Sequence, residues 1–230
     1  MVDLGGILGL GTFILFILFL GGIVWLYYWL KGSKLAGWAR TGVSAVDTES
    51  KQLASAGKSL TEAKDSTDSD KKTSKLEQSK KRLTKVQSEL DEDEQTTNLT
   101  VQKAGSIVKE LKNKVTELDS LEQTDAVKFA KNKTTGDFQT LDRLMSKLKA
   151  KQGENSEIIK ETKGKISTLL SNINTNTSKE AIQNAINAEK EIEDLHQQRL
   201  QINNDIKTLV TQITSLQKEI TSTIDNAKPT

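Results

Sequence analysis

The stretch FQTLDRLMSKLKAKQGENSEIIKETKGKISTLLSNI (138–173), followed after a short polar break by AIQNAINAEKEIEDLHQQRLQINNDIKTLVTQITSL (181–216), decides the fold. In the first arm Phe138, Leu141, Met145, Leu148, Gln152, Asn155, Ile159, Thr162, Ile166, Leu169 and Ile173 recur at alternating steps of three and four. In the second, Ala181, Ala185, Ala188, Ile192, Leu195, Arg199, Ile202, Ile206, Leu209, Ile213 and Leu216 do the same. Such spacing gathers side chains along one helix face and forms a coiled-coil seam. The two seams are mirror images about Thr177, pairing 173 with 181, 159 with 195 and 138 with 216. The pattern is that of an antiparallel helical hairpin over 137–226, with a turn near 174–178.

The turn residues are Asn174, Thr175, Asn176, Thr177 and Ser178, types that favour turns. Thr177 and Glu180 have the spacing of a capping box for the returning helix. At 1.5 Å per residue each arm spans roughly 50–55 Å. Gly153 and Gly164 interrupt the ascending arm, but the phase passes both unbroken, so the helix is expected to continue. Gln152, Asn155 and Arg199 put polar groups into an apolar seam, where such residues commonly fix register. His196, the single histidine, falls on the flank of the seam and is expected on the surface.

Upstream, Leu76, Ser79, Leu83, Val86 and Leu90 form one seam, and Ala104, Val108, Leu111, Val115 and Leu118 another. They are mirrored about Thr97, with a polar stretch at Gln95, Thr96, Thr97 and Asn98 between them. The reading is a first helical hairpin over 71–131 with a turn near 95–99. Lys71, Lys72 and Lys75 would then face Asp119, Glu122 and Asp125, and the acidic run at 89–94 would lie near Lys103 and Lys109. The cluster Lys80, Lys81, Arg82 and Lys85 reads as a solvated face. A linker at 131–136 joins the hairpins, with Asp137 as a helix cap. Residues 32–70 form a juxtamembrane linker and an amphipathic helix on which Val46, Leu53 and Leu60 recur every seven residues. The 65–74 stretch has no apolar residue and is a loop or a solvated stretch of helix.

The N-terminus differs in kind. From Leu4 to Leu30 no side chain is charged, and about twenty apolar residues are enough to cross a bilayer core. A transmembrane anchor over 1–31 follows. Trp25, Tyr27, Tyr28 and Trp29 mark its membrane interface, with Lys31 and Lys34 just beyond. A cleaved signal peptide would have a basic start and a shorter apolar run. Basic residues follow the span and none precedes it, which predicts a translocated N-terminus and a cytoplasmic body. Gly5 and Gly9 form a GxxxG pair through which two anchors could pack.

Composition agrees with an all-α chain of this layout. Eight of the ten aromatics precede residue 39, and the single proline is Pro229. With 33 basic against 31 acidic side chains, the basic surplus of a nucleic-acid binder is missing. No cysteine excludes disulfides and thiolate metal sites. No phosphate loop, HExxH, nucleophile elbow or catalytic histidine cluster occurs, so no catalytic, cofactor or metal site is expected. The sequons at Asn98, Asn132 and Asn176 receive no role. The expected function is a non-enzymatic, membrane-anchored coiled-coil tether, scaffold or spacer, one version being a minor structural protein of a membrane-containing virion. Its partners would be the bilayer, proteins packing helix against helix, and further copies of itself. A pore-forming or membrane-remodelling protein and a membrane-bound signalling coiled coil are the alternatives.

Overall fold

The computed structural model describes Gly37 and residues 42–228. The expected anchor over 1–31, its interface residues Trp25, Tyr27, Tyr28, Trp29, Lys31 and Lys34, and the Gly5–Gly9 pair lie outside the described residues. Among the described residues no helix is long and apolar enough to cross a membrane, and no strand occurs.

Among the described residues four helices make up the bundle. Helix α1 covers 42–65, α2 Ser69–Glu117, α3 Asp125–Thr175 and α4 Lys179–Asp225. A 3-10 turn, Leu118–Ser120, links α2 to α3. The long hairpin is α3 with α4, and its break lies where the mirrored seams place it. The cap of α4 differs by one residue. Ser178, not Thr177, accepts from the backbone N–H of Ala181, so the expected Thr177–Glu180 box does not form. Helix α3 also starts earlier than expected. Thr124 caps it through Val127 N–H, residues 131–136 are helical, and Asp137 is mid-helix.

The first hairpin is the main correction. Residues 95–99 are helical, and α2 runs unbroken for 49 residues. The seam of three-four steps does not stop at Leu90. It continues through Asp93, Thr97, Thr100, Ala104, Ile107 and Leu111, all buried. What resembles a polar turn is a polar section of one continuous seam. Nothing in it breaks a helix, and two of its hydroxyls are satisfied inside one: Thr96 donates to Glu92 O and Thr100 to Thr96 O. The charge pairing expected for that hairpin is absent too, because Lys71–Lys75 and Asp119 sit at opposite ends of the bundle. Lys75 instead pairs with Glu62 of α1, and Asp119 with Lys131 of α3.

Helices α2, α3 and α4 pack up, down and up as a rod about 70 Å long. Helix α1 runs back along only half of it, in the groove between α2 and α4. The core is accordingly in two parts. One combines Leu53, Ala56, Leu60 and Ala63 of α1 with Leu83, Ile166 and Ile182 from the other helices. The other, built around Ala104, Leu141, Leu148, Val210 and Ile220, holds no α1 residue. A single seam cannot explain this packing. Helix α4 buries a second stripe at Ile182, Glu189, His196, Asn203, Val210, Gln217 and Ile224, each seven residues after the last. That stripe widens its buried face beyond what one partner helix covers.

A Cβ on Gly42 would lie 2.9 Å from Asn203 Oδ1 and 3.4 Å from Asp93 Oδ1. Asn203 is midway between Lys179 and Asp225, so residue 42 meets the rod at its waist and not at an end.

Candidate functional site: a buried charged layer at the waist

Between the two apolar cores lies a layer of buried polar side chains with members from all four helices. Glu49 comes from α1, Asp93 and Thr97 from α2, Asn155 from α3, and His196, Arg199 and Asn203 from α4. Each occupies a seam position or its neighbour, so the same helical repeat that buries leucines elsewhere buries charges here.

Arg199 is the hub, with no exposed surface. Its Nη1 donates to Glu49 Oε2 at 2.6 Å and its Nη2 to Asp93 Oδ2 at 2.5 Å, which ties α4 to α1 and α2 at once. His196 Nε2 donates to the same Glu49 oxygen at 2.6 Å, a partner that assigns the proton to that nitrogen. Asn155 donates to Thr97 Oγ1 at 3.3 Å, and Asn203 donates to Asn155 Oδ1 at 3.4 Å and to Arg199 O at 3.1 Å. Gln152, at the edge of the layer, donates to Asn98 Oδ1 at 2.5 Å.

The two carboxylates respond differently to one environment. Burial resists ionisation of Glu49, but the hydrogen bond from His196 and the charge of Arg199 outweigh it and hold the carboxyl below its usual range. For Asp93 burial prevails: despite Arg199, and helped by the negative charge of Glu49, its carboxyl is pushed up. One oxygen of each carboxylate, Glu49 Oε1 and Asp93 Oδ1, has no hydrogen-bond partner, and the same is true of His196 Nδ1 and Arg199 Nε. Buried pairs of this kind add little net stability against an apolar layer, but removing one member strands the other.

A second buried carboxylate lies farther along the α1 groove. Glu189 is 4% exposed, and a Cβ on Gly57 of α1 would stand 2.4 Å from its Oε2. Its Oε1 is unpartnered. Burial, reinforced by the charge of Glu193, raises it to about 8, so the group is protonated at neutral pH. On either side of Gly57, Arg82 of α2 donates to Ser55 O at 2.5 Å and to Ser59 Oγ at 2.8 Å.

Of the register candidates, Asn155 and Arg199 meet in one layer, and Gln152 lies beside it. His196, expected on the surface, is 1% exposed. The reason is the second stripe of α4, which turns the flank of the α3 seam toward α1. Arg82, expected on a solvated face, is a clamp on α1, and Lys80 is half-buried beside Glu77, whereas Lys81 and Lys85 are exposed as expected. Glu49 and Asp93 do not stand out in the sequence, although each lies in phase with its own seam: Glu49 between Val46 and Leu53, Asp93 between Leu90 and Thr97. Among the described residues no group of three or more His, Asp and Glu side chains converges as a metal site. A shallow groove lined by Gly42, Thr48, Glu89, Glu92 and Thr96 opens onto Asp93. Comparison with known proteins finds no matching family, no matching curated protein and no matching solved structure.

Proposed function

We propose that the chain is a non-enzymatic, membrane-anchored helical tether or scaffold, with residues 1–31 in the bilayer and the bundle on the cytoplasmic side as the platform for protein partners. The observation that carries this reading is the charge-free run from Leu4 to Leu30 in a chain whose residues 42–228 form a long helical bundle. The interior of that bundle supports it. Its polar groups serve to join helices to one another, and the groove that opens onto Asp93 is shallow. The bundle has long exposed flanks suited to partner helices or to further copies of the chain, and the assembly served, a membrane-containing virion among them, would be set by those flanks.

The waist position of residue 42 refines the mechanical picture. The ten residues 32–41 can span at most about 33–36 Å. With α1 docked, the rod therefore hangs from its middle, each arm about 35 Å long, and presents both ends to partners. The reading is tested by membrane fractionation. The full chain should stay with the membrane pellet after alkaline carbonate washing, and protease added outside should spare the body in sealed cells. A chain that is released by the wash, or purifies without detergent, overturns the anchor and favours the pore-forming alternative, in which the apolar run is shielded before insertion.

A further inference from the structure

Helix α1 is set apart from the other three helices. It lies on the rod without extending it, and the non-helical segment 66–68 connects it to α2 along the chain. The segment carries its own cap for α2. Asp68 caps α2 through the backbone N–H groups of Asp70 and Lys71, and Ser66 donates to Asp68 O within the segment itself. Helices α2, α3 and α4 by themselves complete the other half of the rod.

What holds α1 down is distributed along it: the Glu49 clamp near its start, Leu53 and Leu60 in the groove, and the Glu62–Lys75 pair at 2.6 Å near its end. What works against it lies at its centre. Gly57 packs directly on the Glu189 carboxyl, closely enough that a Cβ there would require the carboxyl to shift, and one oxygen of that carboxyl has no partner. The arrangement is tolerable while Glu189 carries a proton. Once ionised, the group would be a buried anion beneath a glycine backbone, and moving α1 away is the simplest way to give it water.

We propose that α1 is a hinged strap: ionisation of Glu189 beneath Gly57 releases it from the groove between α2 and α4, about the hinge at 66–68. The charged neighbours do not rescue the anion. On α4, Glu193 opposes it and Lys190 offsets it only in part. On α2, Arg82 is committed to Ser55 and Ser59. On α3, Lys165 is held by Glu161 and Glu191, and α1 itself offers the uncharged backbone of Gly57. The proton passes to solvent and no other group changes state.

The consequence, which rests on the membrane reading although the strap does not, is a change of mounting. With α1 docked the rod is held at its waist. With α1 released it is held at the 66–68 end, and roughly 35 Å of helix is added to the leash. A carboxyl displaced from 4.5 to about 8 lowers the docked-to-released ratio by up to roughly three orders of magnitude once fully ionised.

The chain has no cysteine, so spin labels can be placed cleanly. In the full chain in detergent, one label pair at Ala54→Cys and Gln197→Cys reports α1 against α4, and a second at Thr168→Cys and Asn184→Cys reports α3 against α4; all four positions are exposed. The α1–α4 distance should be short and narrow at and below pH 6.5, lengthen and broaden as pH rises from there to about 8 and change no further above it, while the α3–α4 distance stays fixed. In Glu189→Gln the strap should stay closed throughout. An α1–α4 distance unchanged to about pH 10, opening of Glu189→Gln at the wild-type pH, or simultaneous broadening of both pairs would each overturn the strap. Carbonate extraction reads the anchor separately, so either idea can fail without the other.

Discussion

Replacing Arg199 by Met removes the one cation that faces two buried carboxylates. Its guanidinium donates at 2.6 Å to Glu49 and 2.5 Å to Asp93, and all three side chains are without exposed surface. Methionine fills much of the volume, so the loss is electrostatic and not a cavity. Removing one partner of a buried pair costs about 3–5 kcal/mol, because the stranded charge is left without compensation. Here two carboxylates are stranded and His196 still faces one of them, which places the expected loss within that range. For a chain of this size the loss corresponds to a midpoint roughly 6–20 °C lower. The assay is thermal and urea unfolding of the full chain in detergent, followed by helical circular dichroism near neutral pH. Adding Asp93→Asn to Arg199→Met should restore part of the loss, since it removes the carboxylate that no other cation meets. An Arg199→Met variant within about 1 kcal/mol of wild type, or strictly additive effects in the double variant, would refute the claim that these groups act as one layer.

Further outcomes follow from the same geometry. Gly57→Ala puts a methyl group 2.4–2.8 Å from the Glu189 carboxyl and should destabilise α1 by about 1–3 kcal/mol, with Glu189→Ala in the same chain recovering most of it; no recovery would mean that the contact is not the cause. Gln95→Pro should cost about 3 kcal/mol or more in helical stability, because Gln95 is an exposed residue inside α2, whereas a turn there would tolerate it. The Glu49 carboxyl is held below its usual value, so its contribution is complete above about 4.5 and is lost as pH falls through the lowered value; Glu49→Gln should be less stable at neutral pH and flatter between about pH 3 and 5. Asp93 has the opposite sign, its penalty growing as pH rises from 3.8 through its raised value, so it cannot produce that acid loss.

The α3–α4 hairpin is legible in the sequence because its information is local and repeated. Each seam residue lies three or four positions from the next, and the mirrored pairing leaves few alternatives. The α2 error has the same physical root. Asp93, Thr97 and Thr100 keep the helical phase, but a reading that equates polarity with solvent turns a polar core layer into a loop. The real discriminator is present in the sequence. The three-four step crosses 90–104 without a slip, and that stretch contains no glycine or proline.

The site is harder to read, since a charged layer becomes visible only when four helices are superposed. Asn155 and Arg199 stand out as polar residues in an apolar seam. Glu49 does not, because a glutamate on a short amphipathic helix is ordinarily exposed. His196 falls on the wrong surface when only one partner for α4 is considered. The seven-residue recurrence of Ile182, Glu189, His196, Asn203, Val210, Gln217 and Ile224 signals the extra partner, and its apolar members alone mark the stripe as buried.

In the membrane-held protein, the place where α1 meets the rod distinguishes a bundle held at its waist from one held at an end. Ser44 of α1 and Thr96 of α2 line the same groove at the waist, whereas Asn113 lies farther along α2, about 25 Å away. In washed membranes carrying the full chain near pH 6.5, a short bifunctional thiol reagent should join Ser44→Cys to Thr96→Cys in high yield within one chain. It should leave Ser44→Cys with Asn113→Cys unjoined. The reverse pattern, or loss of the protein from the washed membranes, would contradict a bundle anchored in the bilayer and held at its waist.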